Sequence, residues 1–223
     1  MPDESPAAVL TPRPDKTPPT SVAARVCECV HLLGLAVWFG AVSMSAVVAA
    51  VVFPLMRRLD PTLGKYPLYT GDHAMLAGGH VGNSVFFVAD IVQFACAGLV
   101  LLTTILLVGF LGWPMKRVAT AVRLLAIGGA LMVVSYHLMV LAPRMSENLH
   151  EYWALAEAGQ TEQAEAARAR FSADHPKARN TLTGTAGFVL VAFLAGVWVV
   201  QPRGGGEKRT PSGLEKPRLA GGV

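Results

Sequence analysis

Hydrophobic positions fall into four long blocks, Cys29 to Met56, Ile91 to Met115, Leu124 to Pro143 and Thr181 to Pro202, none containing Asp, Glu, Lys or Arg. An α-helix rises about 1.5 Å per residue, so ~20 apolar residues cross a hydrocarbon core of ~30 Å, and every block is that long. Lipid supplies no hydrogen-bond partners to the backbone, which leaves helices or a closed barrel as spanning structures. Barrel strands are about half this length and alternate polar with apolar positions. The pattern therefore predicts an all-α integral membrane four-helix bundle, with helices over about 26–55, 84–112, 120–143 and 181–201.

The polar intervals are of three kinds. Residues 1–24 and 202–223 are rich in Pro, Gly and charge and are expected to be disordered cytoplasmic tails flanking a transmembrane domain over 25–201. Residues 57–83, with Pro61, Pro67 and several glycines, read as a loop. Residues 144–180 read as an extramembrane helical hairpin between helices 3 and 4: Glu151 to Ala158 favours helix, Gly159 caps it, and Thr161 restarts it. Pro176 disfavours helical geometry in the residue before it, so a bend is expected at His175, ahead of the fourth span.

Composition sharpens this picture. Hydrophobic residues are 52% of the 223 and charged residues 15%, against about 25% charged in soluble domains. The net charge of +4 has no basic, aromatic-interleaved helix behind it, which argues against a nucleic-acid partner. Lys and Arg collect on the cytoplasmic side of membrane proteins. Arg13, Lys16, Arg25, Lys116, Arg117, Arg123, Arg203, Lys208 and Arg209 all flank one face, which is taken as the cytoplasmic one.

Against this background Asp90 stands out in "SVFFVADIVQFACAGLVLL". An ionisable group within a membrane helix costs about 2.5–3.5 kcal/mol and usually faces inward onto a partner. Asp90 and His137 lie at the same expected depth, each six residues from the outer end of its helix. A polar cluster of Asp90, Gln93, Tyr136, His137 and Asn180 is expected there, able either to fix helix register or to bind a ligand or cation. His73, His80, His137 and His175 fall on the same side and form the candidate metal set, though their spacing matches no familiar metal motif. At the inner face Cys27, Cys29 and His31 are further candidates, with Cys29 on a different helical face from the other two. No cofactor is called for, a metal ion being the one alternative left open. Phosphate-loop, dinucleotide, nucleophile-elbow and zinc-protease signatures are absent, so the chain is expected not to be an enzyme.

The run "VHLLGLAVWFGAVSMSAVVAAVVFPLMRRL" and the later "RFSADHPKARNTL", with Phe171, His175 and Asn180, resemble the transmembrane protein 205-like family of four-helix membrane proteins of unknown function. Helix 1 alone, with His followed by Trp and Gly, is also similar to copper-resistance D membrane proteins. The first resemblance implies a fold and a membrane location of the bacterial inner-membrane type; the second implies copper or other metal handling. A third reading makes the outer hairpin the docking element of an envelope-complex partner; besides the lipid bilayer, a second copy of the chain is the other partner left open.

Overall fold

The computed structural model describes residues 21–113 and 117–200, the side chains of 199 and 200 excepted. Residues 1–20 and 201–223, with Arg13, Lys16, Arg203, Lys208 and Arg209, and the link 114–116 with Lys116, lie outside the described residues, whereas 21–24, expected to belong to the first tail, form the cap and first turn of the first helix. The chain is all-α: α1 (Val22–Leu59), α2 (His73–Gly109), α3 (Val118–Tyr136), a π-helical turn (His137–Leu141), α4 (Ala142–Glu157) and α5 (Thr161–Val200). Because α3, the π turn and α4 run on without a break, four long helices pass back and forth, each apolar enough to cross a membrane. Their outward faces carry Val47, Val51, Phe87, Phe94, Leu102, Leu125, Met132 and Trp198 more than half exposed, as a surface solvated by lipid requires.

All four helices outrun the expected spans. α2 begins at His73 rather than 84, since Asp72 caps it through a 2.9 Å bond from the Met75 N–H to Oδ1. Gly78 and Gly82, which looked like loop, lie in α2 and pack against Phe53. A Cβ on Gly78 would stand 2.9 Å from Phe53 Cδ1, so α1 and α2 close on each other through that gap.

Pro143 does not end the third span. It offers no N–H to the preceding turn, and the helix absorbs this by widening at His137–Leu141, where the Ala142 N–H reaches back five residues to the His137 carbonyl. Nor does the fourth span begin at 181 with a bend at His175; α5 runs through Pro176 from Thr161. The expected hairpin is therefore the projecting ends of two membrane helices, turned at 158–160 with Gly159 in the left-handed region (φ +72°). A proline inside a long helix removes one hydrogen bond, and side-chain contacts with α4 along the same stretch offset that loss.

The bundle consists of two antiparallel pairs, α1 with α2 and α3–α4 with α5. α1 also packs along α5, whereas α2 and α3 touch along a thin seam. A membrane-depth core of Leu35, Trp38, Val100, Ile127, Ala130, Val134, Val189 and Ala192 fills the centre. A second core lies at the hairpin end, where the 60–72 loop folds under α4 and α5 through Tyr66, Tyr69, Leu76, Leu149, Tyr152 and Ala164. On α1, Ala36 and Gly40 face outward, and Gly34 is the glycine that meets α2.

Candidate functional site

Asp90 and His137 meet. The His137 Nε2 is 3.3 Å from Asp90 Oδ1, across the thin α2/α3 seam. One turn further along α2, Gln93 donates its Nε2 to the same oxygen at 3.1 Å. On the other side of the ring, Thr181 Oγ1 lies 3.2 Å from His137 Nδ1 and donates its own proton to the Ala178 carbonyl at 2.8 Å. With the hydroxyl proton used in that way, Thr181 offers Nδ1 a lone pair, so Nδ1 carries hydrogen. Nε2 faces Asp90 Oδ1, so each of the two ionisable groups has the other as a polar partner. Such pairing is what lets them lie within the apolar layer.

Burial across the site is uneven. Gln93 is 1% exposed and His137 7%, while the Asp90 side chain keeps 24% of its surface. The carboxylate is thus reachable from the seam, with the imidazole behind it. Gln93 Oε1 is buried and has no hydrogen-bond donor. A buried acceptor left bare costs about 1–3 kcal/mol, so the site holds one carbonyl oxygen more than its own donors satisfy.

Two expected members are elsewhere. Tyr136 is 43% exposed and points outward, because one residue along a helix turns the side chain by about 100° from the His137 direction. Asn180 is exposed for the same reason, and Thr181 takes the place expected for it. The register had been set by a helix starting at 181; a continuous α5 instead phases Thr181 with Asp174, seven residues earlier, on the face toward α3 and α4.

The other histidines do not gather around His137. His73 spends both ring nitrogens on the loop, accepting from the Leu63 N–H at 3.2 Å and donating to the Tyr69 carbonyl at 2.9 Å. His80 bonds the Tyr66 hydroxyl at 2.7 Å and stacks on Trp153 at 3.9 Å. His175 is exposed on α5, edge-on to Phe171. Among the described residues no three His, Cys, Asp or Glu side chains form a metal-binding group. The same holds for Cys27, Cys29 and His31: Cys29 is exposed, Cys27 Sγ approaches the Thr103 carbonyl at 3.8 Å, and His31 Nδ1 bonds Thr103 Oγ1 at 2.7 Å.

What the sequence reading missed lies beside His31. Arg123, counted there among the loop cations, is fully buried one turn into α3 and forms an ion pair with Glu28 of α1. Its guanidinium sits 4.6 Å over the Trp113 ring and against Gly196, where a Cβ would come within 2.8 Å of Cζ. Glu28 and Arg123 adjoin the apolar blocks by one residue each, and that adjacency was the available signal. The two pairs of the bundle are thus tied at one end by Glu28–Arg123 and near the other by Asp90–His137.

No family model, curated protein or solved structure matches the chain.

Proposed function

We propose that the chain is a non-enzymatic, multi-pass membrane protein whose Asp90–His137 pair takes up a cation in exchange for a proton at the α2/α3 seam. The observation that carries this reading is the unpartnered Gln93 Oε1 beside a partly exposed carboxylate. Asp90, the Gln93 carbonyl and the rear imidazole present an oxygen-rich ligand set, suited to a hard monovalent cation or an ammonium group rather than to a soft metal. The copper-handling alternative draws no support from the described residues, whose soft ligands are scattered. The resemblance to transmembrane protein 205-like proteins supports the same architecture without supplying an activity. Placement in a bacterial-type inner membrane, with residues 21 and 200 on the cytoplasmic side, rests on Arg25 and Arg117 at that end and on the acidic residues of 144–180 at the other.

The test is cation binding by purified protein in nanodiscs, followed by thermal stabilisation across sodium, potassium and ammonium and by proton release on mixing. Wild type is expected to release about one proton per cation bound and to rise in Tm with one of the three. Asp90→Asn is expected to lose both responses while keeping its helical content and elution volume. Equal responses in wild type and Asp90→Asn reject the reading, as does the lack of any response in wild type.

A further inference from the structure

A second site lies on α5, in the two turns just before Thr181. Ser172, His175, Pro176 and Arg179 line a hollow of about 250 Å³ open to the surface. We propose that this hollow binds the phosphate of a membrane phospholipid at the border of the bilayer.

Its position follows from the charge pattern. From Thr181 to Val200 α5 carries no Asp, Glu, Lys or Arg, and Arg179 is the last charge before that run. Ser172 to Arg179 therefore rises through about 10 Å just outside the apolar span, the depth at which lipid headgroups sit. Cations at this level commonly engage lipid phosphates.

The chemistry fits the same ligand. Arg179 is exposed and has no hydrogen-bond or carboxylate partner among the described residues. Its neighbouring cations are both committed: Arg144 binds Asp174 through two bonds of 2.7 and 2.8 Å, and Lys177 reaches the same carboxylate at 3.0 Å. Asp174, the nearest acid on this helix, is thus already balanced by two positive charges and does not compete for Arg179. Guanidinium is the side chain best shaped for phosphate oxygens, with the His175 ring and the Ser172 hydroxyl one and two turns away on the same lining.

Pro176 supplies the remaining feature. Having no N–H, it leaves the Ser172 carbonyl without its helical donor, so an acceptor stands beside the phosphate-binding groups. A headgroup bearing both a phosphate and an ammonium, as in phosphatidylethanolamine, satisfies Arg179 and that carbonyl together. The proline ring gives the hollow an apolar wall, against which a glycerol backbone can lie.

The test is native mass spectrometry of the whole protein released from micelles containing phosphatidylethanolamine, phosphatidylglycerol or phosphatidylcholine, with soluble glycerophosphate titrated in a parallel series. One lipid is expected to be retained, phosphatidylethanolamine the most strongly, with Arg179→Gln weakening retention about tenfold and Arg179→Lys weakening it less. Arg170→Gln, on the same helix but bonded to Glu151, serves as the control and is expected to retain lipid like wild type. Equal retention by Arg179→Gln and wild type overturns the proposal. Glycerophosphate binding as tightly as lipid overturns the lipid assignment in favour of free phosphate. Neither result touches the Asp90 site, which these variants leave intact.

Discussion

At the scale of single residues, Arg123 and Glu28 form the most deeply buried ion pair among the described residues. Arg123 is fully buried with only one of its nitrogens bonded to Glu28, and its Nε and Nη2 find no acceptor. Trp113 beneath the guanidinium compensates in part through its π face. Removing one partner of such a pair strands the other, at a cost of about 3–5 kcal/mol, whereas replacing both with apolar groups is often neutral. Arg123→Met is therefore expected to lower thermal stability in detergent sharply, and Glu28→Leu combined with Arg123→Met to restore most of it. A double variant no more stable than Arg123→Met would show that the ion pair is not the source of the loss. The Asp90–His137 contact was legible from sequence because a lone carboxylate in an apolar block needs a partner and depth selects one. Arg123 was not, because a charge at the edge of a block reads equally as a loop residue and as the first buried turn.

At the scale of elements, the 60–72 loop is held by side chains rather than by backbone ladders. Tyr69 is its pivot: its hydroxyl donates to Glu165 and lies 3.0 Å from the Tyr152 hydroxyl, while Glu165 is itself bonded by Arg168. Burial, then the bond to Glu165, raises the Tyr69 phenol well above its ordinary value of 10.0. A phenol whose proton is held more tightly in the folded than in the unfolded chain stabilises the fold fully below pH ~10 and loses that contribution as pH climbs toward the raised value. Hydrogen exchange of the loop amides is expected to accelerate above pH ~10 beyond the intrinsic rise in wild type, and Tyr69→Phe, already missing about 1–2 kcal/mol of bonding, to show no such added step. A step of equal size in Tyr69→Phe would assign it to another group. None of this loop packing could be read in advance, since it depends on tyrosines meeting α4 and α5 from far along the chain. The continuous helices were hidden for a local reason: Pro143 and Pro176 are correct stop signals in isolation, and tertiary contact overrides both.

For the whole molecule, the arrangement is two helical hairpins packed closely along α1 and α5 and thinly along α2 and α3. The ionic links fall on either side of that division, so movement of one hairpin against the other must break at least one of them. Asp90→Asn removes the link at the thin seam while leaving the close α1/α5 packing. Spin labels at the outward-facing Phe94 of α2 and Met132 of α3 are expected to show a longer and broader distance distribution in Asp90→Asn than in the parent. An unchanged distribution would mean that the apolar core alone holds the seam shut. The four-span architecture was plain from hydropathy, because lipid punishes every charge in a span; the pairing of spans was not, because lipid-facing and partner-facing residues are equally apolar.

The widened turn at His137–Leu141 has a consequence for phasing. A π turn accommodates one residue more than an α turn, and each residue advances a helix by about 100°. His137 opens that turn and Arg144 lies just past it, yet both aim at α5, one at Thr181 and the other at Asp174. Excising a single residue within that turn would restore a regular spiral and leave the water-side projection in phase, with Arg144, Glu151 and Tyr152 still on their partners, whereas a residue removed from the regular helix on either side would swing that projection by more than a quarter revolution. The wide turn thus works as a slack joint, taking up one residue of length without changing the angle at which the membrane half presents the half outside it.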